Sequence, residues 1–195
     1  MRTIRTMLLT VALLSPGRAV AQDFSAGPYL RASGSVAFNT FTDSAVRHEI
    51  SDPVLGVNAS IGYRFLPYLA LEAEGEWLDT FETSFSPNNN REKVDIWATT
   101  LNAKAFYPIG RVHPFLGVGI GAMHASLEFR FPTVVDHERT ETDFAARFSA
   151  GAEVYVWETL SVVVDGSYVL GTGGVRGFNY VRTGWGLQYR FPVSW

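Results

Sequence analysis

The chain has 195 residues, enough for one domain with a sizeable core; 47% of them are hydrophobic and 18% are charged. Its net charge of −3 gives no electrostatic reason to expect a nucleic-acid partner, and we expect none. Because the sequence contains no cysteine, disulfide frameworks and thiolate metal sites are excluded.

The first 21 residues have the three parts of a secretory signal peptide. A basic start, MRTIR, precedes an apolar core at 7–14 and an A-x-A cleavage site at 19–21. The apolar core is too short to span a bilayer, and no run of 18 apolar residues follows it. We predict a signal peptide over 1–21, cleaved after Ala21, and one exported domain over 22–195.

After this leader, apolar and polar residues alternate in eight segments. An alternation of period two indicates strands, because successive side chains of a strand point to opposite faces. In the LEAEGEW sequence, for example, three glutamates lie on one face, and Leu71, Ala73 and Trp77 lie on the other. The predicted strands are residues 28–38, 54–65, 68–79, 94–107, 113–125, 143–156, 160–170 and 180–191.

The connections between these strands alternate between short turns and long loops. An even number of strands of about ten residues, joined in this way, is typical of outer-membrane barrels. We therefore predict an all-β fold, an eight-stranded antiparallel up-and-down transmembrane β-barrel, whose apolar face contacts lipid. The short turns are 66–67, 108–112 and 157–159, and the long loops are 39–53, 80–93, 126–142 and 171–179.

Aromatic residues concentrate near both ends of the predicted strands. Phe115 is among those near the short turns, and Tyr180 is among those near the long loops. Tyrosine and tryptophan favour the membrane interface, where an apolar ring and a polar group are both accommodated. The pattern predicts two aromatic girdles around the barrel.

Three sequence features resemble a known family. The A-x-A leader, the PFLGVGIGA strand after a PIG turn, and the final GLQYRF strand are similar to the small eight-stranded outer-membrane β-barrel proteins of the porin-like or OmpA-like superfamily. The resemblance implies a monomer in the outer membrane, with outer-membrane lipid, periplasmic chaperones and the barrel-assembly machinery as partners. It also implies a C-terminal assembly signal whose terminal aromatic is either Phe191 or Trp195. The assembly-signal residues are Gly186, Tyr189, Phe191 and Trp195.

The polar face of the predicted strands carries eleven charged residues. Since an eight-stranded barrel is just wide enough for its own side chains, we predict a lumen filled by paired charges, with little or no open pore and with no cofactor or metal. Aligned strand ends place Lys104 across from Glu72, and Glu74→Gln is expected to cost less stability than Ala73→Arg. The predicted lumen residues are Arg31, Arg64, Glu72, Glu74, Glu76, Lys104, Arg147, Glu153, Asp165, Arg182 and Arg190.

The function predicted from these patterns is non-enzymatic, in envelope integrity or in surface interaction through the long loops. One alternative is a hydrolase, because His124-Ala125-Ser126 resembles the His-x-Ser pair of outer-membrane lipid A deacylases. That resemblance implies Ser126 as nucleophile and His124 as base, although Leu127 replaces the asparagine that follows the family's serine. The glutamate that would orient the imidazole is Glu128, Glu138 or Glu141.

A second alternative is a soluble lipocalin-like carrier. Such a barrel reverses the two faces, with apolar side chains inside and polar side chains outside. The charged residues of the predicted strands would then all have to lie on the exterior.

Overall fold

The computed structural model describes residues 26–40, 53–85, 90–131 and 134–192. The predicted signal peptide, most of the predicted loop 39–53 and Trp195 lie outside these residues. Within the described ranges, no helix has both the length and the apolar character needed to cross a membrane.

Eight strands form one closed antiparallel barrel in chain order, because the last strand pairs with the first as well as with the seventh. The predicted fold class is confirmed. Closure gives every strand two neighbours and leaves no free edge. The strands are β1 (Gly27–Asn39), β2 (Val54–Leu66), β3 (Leu69–Phe85), β4 (Asn90–Phe106), β5 (Val112–Phe131), β6 (Val134–Tyr155), β7 (Leu160–Gly171) and β8 (Tyr180–Arg190).

The two faces of the strands have the polarity that the alternation predicts. On β2, Leu55, Val57 and Ile61 are 58–66% exposed, whereas Asn58 and Ser60 point inward and are buried. Apolar side chains therefore cover the exterior and polar side chains fill the interior. This is the reverse of the arrangement that a lipocalin-like carrier requires.

Two hairpins are longer than the sequence pattern predicts. The predicted loops 80–93 and 126–142 are wrong: β3 and β4 pair as far as Phe85 and Asn90, and β5 and β6 pair as far as Phe131 and Val134. The part of a strand that extends beyond the lipid layer needs no apolar face. The alternation of apolar and polar residues therefore ends before the backbone hydrogen bonds between the two strands do.

Two aromatic residues assigned to the girdles belong to the interior. Phe115 is 4% exposed, and Tyr180 is fully buried. Both lie at strand positions whose side chains point inward. Whether a side chain faces the interior depends on its position in the inward–outward alternation of the strand, and not on how near it is to the strand end.

A closed barrel with every strand paired should resist detergent at room temperature. We expect the folded protein to migrate on a detergent gel as a distinct band before boiling, and to shift after boiling. The sample's β-content is checked by circular dichroism. Identical migration of a β-rich sample before and after boiling would contradict closure.

Candidate functional site

All eleven charged residues assigned to the lumen are buried inside the barrel, at 8% exposure or less. Six are basic and five are acidic, so their formal charges nearly balance. Because an isolated charge is costly to bury, the way these groups pair decides whether the interior is stable.

Three glutamates of β3, at positions 72, 74 and 76, accept most of the ion pairs in this interior. Because they occupy every second position of the strand, their three carboxylates lie in a row along the lumen. The Oε1 atom of Glu72 lies 2.8 Å from Arg31 Nη2 and 2.8 Å from Lys104 Nζ. The hydroxyl of Tyr29 donates a hydrogen bond to Glu72 Oε2 at 2.9 Å. Glu72 is thus neutralised by two cations and capped by a neutral donor.

Glu74 is the centre of the charge network. Its carboxylate lies 3.1 Å from Arg147 Nη1, 2.6 Å from Arg182 Nη2 and 3.3 Å from Arg31 Nη2. The four residues come from four different strands, so their side chains meet across the lumen. A single buried carboxylate therefore holds three guanidinium groups together at the middle of the barrel.

Glu76 and Asp165 complete the outer half of the network. Glu76 forms an ion pair with Arg147 and another with Arg182 Nε at 3.2 Å, and it accepts a hydrogen bond from the Tyr180 hydroxyl at 3.1 Å. Asp165 Oδ2 lies 3.1 Å from Arg182 Nη2. Arg182 thus joins three carboxylates.

A second, smaller cluster lies at the short-turn end. Arg64 Nη1 donates to Glu153 Oε2 at 3.1 Å and to the Tyr155 hydroxyl at 3.0 Å, and that hydroxyl donates to Glu153 at 2.9 Å. Arg190 also donates to the Tyr155 hydroxyl. Beneath Arg64, the Phe106 ring centroid is 3.9 Å from the guanidinium carbon, a favourable cation–π contact.

Apolar layers lie on both sides of the charge network centred on Glu74. At the short-turn end, Phe106 and Phe115 pack with ring centroids 5.5 Å apart, beside buried Tyr29 and Val163. At the long-loop end a larger buried cluster includes the following residues: Ala37, Val54, Leu78, Ile96, Met123, Ala125, Ala145, Val169, Val175 and Tyr180. The network centred on Glu74 therefore lies between two apolar clusters, and Arg64 lies beside the turn, where it donates to the Pro67 carbonyl oxygen.

The last long connection folds over the outer apolar layer as a short 3₁₀ helix, Gly173–Val175. Val175 is fully buried in that layer. Asp143 anchors the helix: its carboxylate accepts hydrogen bonds from the backbone N–H groups of Gly174, at 2.9 Å, and Phe144, at 2.8 Å.

The structure does not assemble the hydrolase site from the described side chains. His124 and Ser126 both lie on the outer face of β5, but His124 Nδ1 bonds the Thr142 hydroxyl at 2.6 Å, and Ser126 Oγ bonds Thr140 at 3.3 Å. Thr142 occupies the place where a triad needs a carboxylate. Glu141 occupies an inward-facing position of β6, whereas His124 and Ser126 face outward on β5. The side chains of Glu128 and Glu138 lie outside the described residues.

Three of the four residues predicted to form an assembly signal, Gly186, Tyr189 and Phe191, lie on or beside the last strand. Tyr189 and Phe191 are exposed on the outer face, with ring centroids 5.1 Å apart. Gly186 faces the interior where strands approach closely, since an added Cβ would lie 2.2 Å from the Ala32 carbonyl oxygen. Trp195, the other candidate for the terminal aromatic of the predicted signal, lies outside the described residues.

Three tyrosines belong to the interior in addition to the predicted charged residues. Tyr29, Tyr155 and Tyr180 are buried, and each donates its hydroxyl to a lumen carboxylate. The alternation of inward and outward positions on β1, β6 and β8 predicts that their side chains point inward. A search for charged residues alone does not find them, because tyrosine is uncharged and is counted with the apolar residues.

The family model described as "outer membrane protein beta-barrel domain" matches residues 6–192. No curated protein matches the sequence.

Among solved structures, Neisserial surface protein A is similar with a TM-score of 0.66 at 15% identity, over 86% of this chain and 100% of that one. The attachment invasion locus protein of Yersinia pestis, in complex with the heparin analogue sucrose octasulfate, is similar with a TM-score of 0.62 at 15% identity and the same coverage. The N-terminal β-barrel domain of Pseudomonas aeruginosa OprF has a TM-score of 0.52 at 13% identity, over 86% of this chain and 100% of that one.

Proposed function

The chain belongs to the outer membrane protein β-barrel domain family, and on that premise we propose that it is a non-enzymatic barrel whose lumen is closed by its own side chains. Its role is in envelope integrity or in surface interaction through the long hairpins. No reacting group is required for either role.

The meeting of three guanidinium groups at Glu74 carries this proposal. Arg31, Arg147 and Arg182 reach that carboxylate from separate strands and cross the lumen at its middle. Apolar layers stand above and below this network. A barrel of eight strands has no width left for a water-filled channel beside such side chains.

The two long hairpins support a role in surface interaction. β5 and β6 contain 20 and 22 residues, and β3 and β4 contain 17 each, against 11 in β8. The strands of both hairpins are therefore longer than the other strands of the barrel. The complex of the Yersinia pestis protein with a heparin analogue shows a ligand on a barrel of this fold. For this chain we propose the hairpins as the surface that meets a partner, without assigning the partner.

The route to the membrane is part of the same proposal. The signal peptide is cleaved after Ala21, periplasmic chaperones carry the exported chain, and the barrel-assembly machinery inserts it as a monomer into outer-membrane lipid. Intact mass of the exported protein tests the cleavage site. A mature form that retains Arg2 and Arg5 would contradict it.

Planar-bilayer recordings test the closed lumen. The pure protein should show no steady conductance, because ion-paired side chains cross its lumen. As a control, the double variant Glu76→Ala/Arg147→Ala removes one carboxylate together with one cation, and we expect it to open more often. Reproducible channels of the unaltered protein would overturn the proposal of a closed lumen.

A further inference from the structure

The ring of His113 connects two of the short turns. His113 lies at the start of β5, and its Nε2 atom is 3.1 Å from the carbonyl oxygen of Gly110, in the turn between β4 and β5. Its Nδ1 atom is 3.2 Å from Arg64 Nη2, which also donates a hydrogen bond of 2.7 Å to the carbonyl oxygen of Pro67, in the turn between β2 and β3. We call these four residues the turn latch: Arg64, Pro67, Gly110 and His113.

The partners of His113 determine which of its ring nitrogens carries a hydrogen. A guanidinium group has only donors, so Nδ1 must accept from Arg64 with its lone pair. A carbonyl oxygen can only accept, so Nε2 must carry the hydrogen that it donates to Gly110. The turn latch is therefore complete only with a neutral imidazole, because a protonated ring has a hydrogen on both nitrogens and cannot accept a hydrogen bond.

The charged groups around His113 also favour the neutral ring. Glu153 pairs with His113 across the β5–β6 ladder. Arg64 reaches the ring from β2, and Arg190 acts on it from β8. Tyr155 of β6, whose ring centroid lies 4.7 Å from the imidazole, adds no charge, and the inward side chain of β4 at this end is a phenylalanine. Two cations thus face one carboxylate, and a proton on His113 would add a second excess positive charge.

We propose that the turn latch is an acid-sensitive switch that opens when His113 is protonated. The added proton replaces the acceptor that faces Arg64 with a donor, and two like charges then repel each other at hydrogen-bond distance. Arg64 moves away from the imidazole, and the two short turns lose the side-chain connection between them. The backbone ladder between β3 and β4 stays paired, so the barrel remains closed while its turns loosen.

The direction of the pH dependence follows from linkage. The open latch binds a proton more tightly than the closed latch does, so acid favours the open form. An unperturbed histidine is half protonated near about pH 6.5, and the opening therefore falls in the mildly acidic range below that value.

The distance between two spin labels, one on each turn, tests this proposal. The sequence contains no cysteine, and Tyr68 and Ile109 are exposed turn residues, so the double variant Tyr68→Cys/Ile109→Cys can be labelled at both turns and folded into lipid vesicles. Pulsed electron paramagnetic resonance should give a narrow distance distribution at about pH 7.5 and a broader one at about pH 5, on either side of the ordinary histidine pKa. A distribution that is the same at both pH values would overturn the proposal.

Two substitutions of His113 in the labelled protein fix the latch in each state. His113→Asn retains an acceptor, since the amide oxygen takes the place of Nδ1 and does not titrate, so the distribution should stay narrow at both pH values. His113→Phe keeps an aromatic ring but has no acceptor, so the distribution should be broad at both. Broadening in acid that persists in His113→Asn would come from other titrating groups and would overturn the proposal.

His124→Asn is the matched control, because His124 is a histidine of the same strand that bonds Thr142 on the outer face. It should leave the response to acid unchanged, and loss of the response in this variant would contradict the assignment to His113. Heat-modifiable gel migration shows that each variant is folded. Conductance at neutral pH does not depend on the turn latch, so failure of this proposal is distinguishable from failure of the closed-lumen proposal.

Discussion

Replacing Glu74 with glutamine should lower the free energy of unfolding by about 3–5 kcal/mol, the usual cost of removing one partner from a buried ion pair. The substitution keeps the size of the side chain but leaves three arginines, Arg31, Arg147 and Arg182, without their shared carboxylate. Urea titrations of the barrel refolded in lipid vesicles measure the change.

Glu158→Gln provides the matched control, because Glu158 is exposed on a short turn, whereas Glu74 is buried in the lumen. It should change stability by less than about 0.5 kcal/mol. Adding Arg182→Gln to the Glu74 variant should cost less than the two single changes together, since both groups belong to one network. A loss below about 1 kcal/mol for Glu74→Gln would mean that an ordinary neutral hydrogen bond, and not an ion-pair centre, is removed.

Placing an arginine at Ala73 should cost about 2–4 kcal/mol, the range for a cation on the lipid face near mid-depth. Ala73 is the neighbour of Glu74 on β3, but its side chain points outward, and it pairs with Ile61 and Leu101 on the adjacent strands. The same vesicle titrations compare this variant with the Glu74 variant.

Ala73→Leu is the control for size, because it enlarges the side chain without adding charge. It should be neutral or slightly stabilising, since the added surface meets lipid. If arginine at this position were tolerated as well as leucine, the outward face of β3 would not be in contact with lipid.

The expected ranking of these two variants depends on whether the contacts across the lumen are known. The strand sequence alone predicts that Glu74→Gln is the milder change, because several other acids share the same face. Pairing across the lumen brings Arg147 and Arg182 to Glu74 from strands far away in the chain. Such long-range convergence has no signature in a local pattern.

The architecture itself was predictable because a membrane barrel imposes one rule on every strand. Lipid demands an apolar exterior, so the inside and outside of each strand follow from a period of two. Glu72, for example, could be placed in the lumen from the LEAEGEW alternation alone. Eight such segments with alternating short and long connections then determine the order of strands around the barrel.

The register between strands was not predictable to the residue. The predicted alignment of Lys104 with Glu72 is wrong: Glu72 pairs with Asn102, and Lys104 pairs with Ala70. The backbone is shifted by two positions, which preserves the parity of every side chain. Because a lysine side chain is long, Lys104 still reaches the Glu72 carboxylate, at 2.8 Å.

The apolar layer at the long-loop end was also beyond the reach of sequence. Val175 lies in a connection rich in glycine, where alternation gives no guide to burial. Its place depends on the bonds that Asp143 and Phe144 of β6 make to this connection. Only the folded barrel brings those residues together.

The central claim is that apolar side chains face lipid and polar side chains face a closed interior, and spin labels on β2 test it most directly. The sequence contains no cysteine, so single cysteines can be labelled one at a time at positions 55–61 in vesicles. Collisions with lipid-soluble oxygen should be frequent at positions 55, 57, 59 and 61 and rare at Gly56, Asn58 and Ser60. Collision rates without this alternation, or with the opposite phase, would contradict the claim.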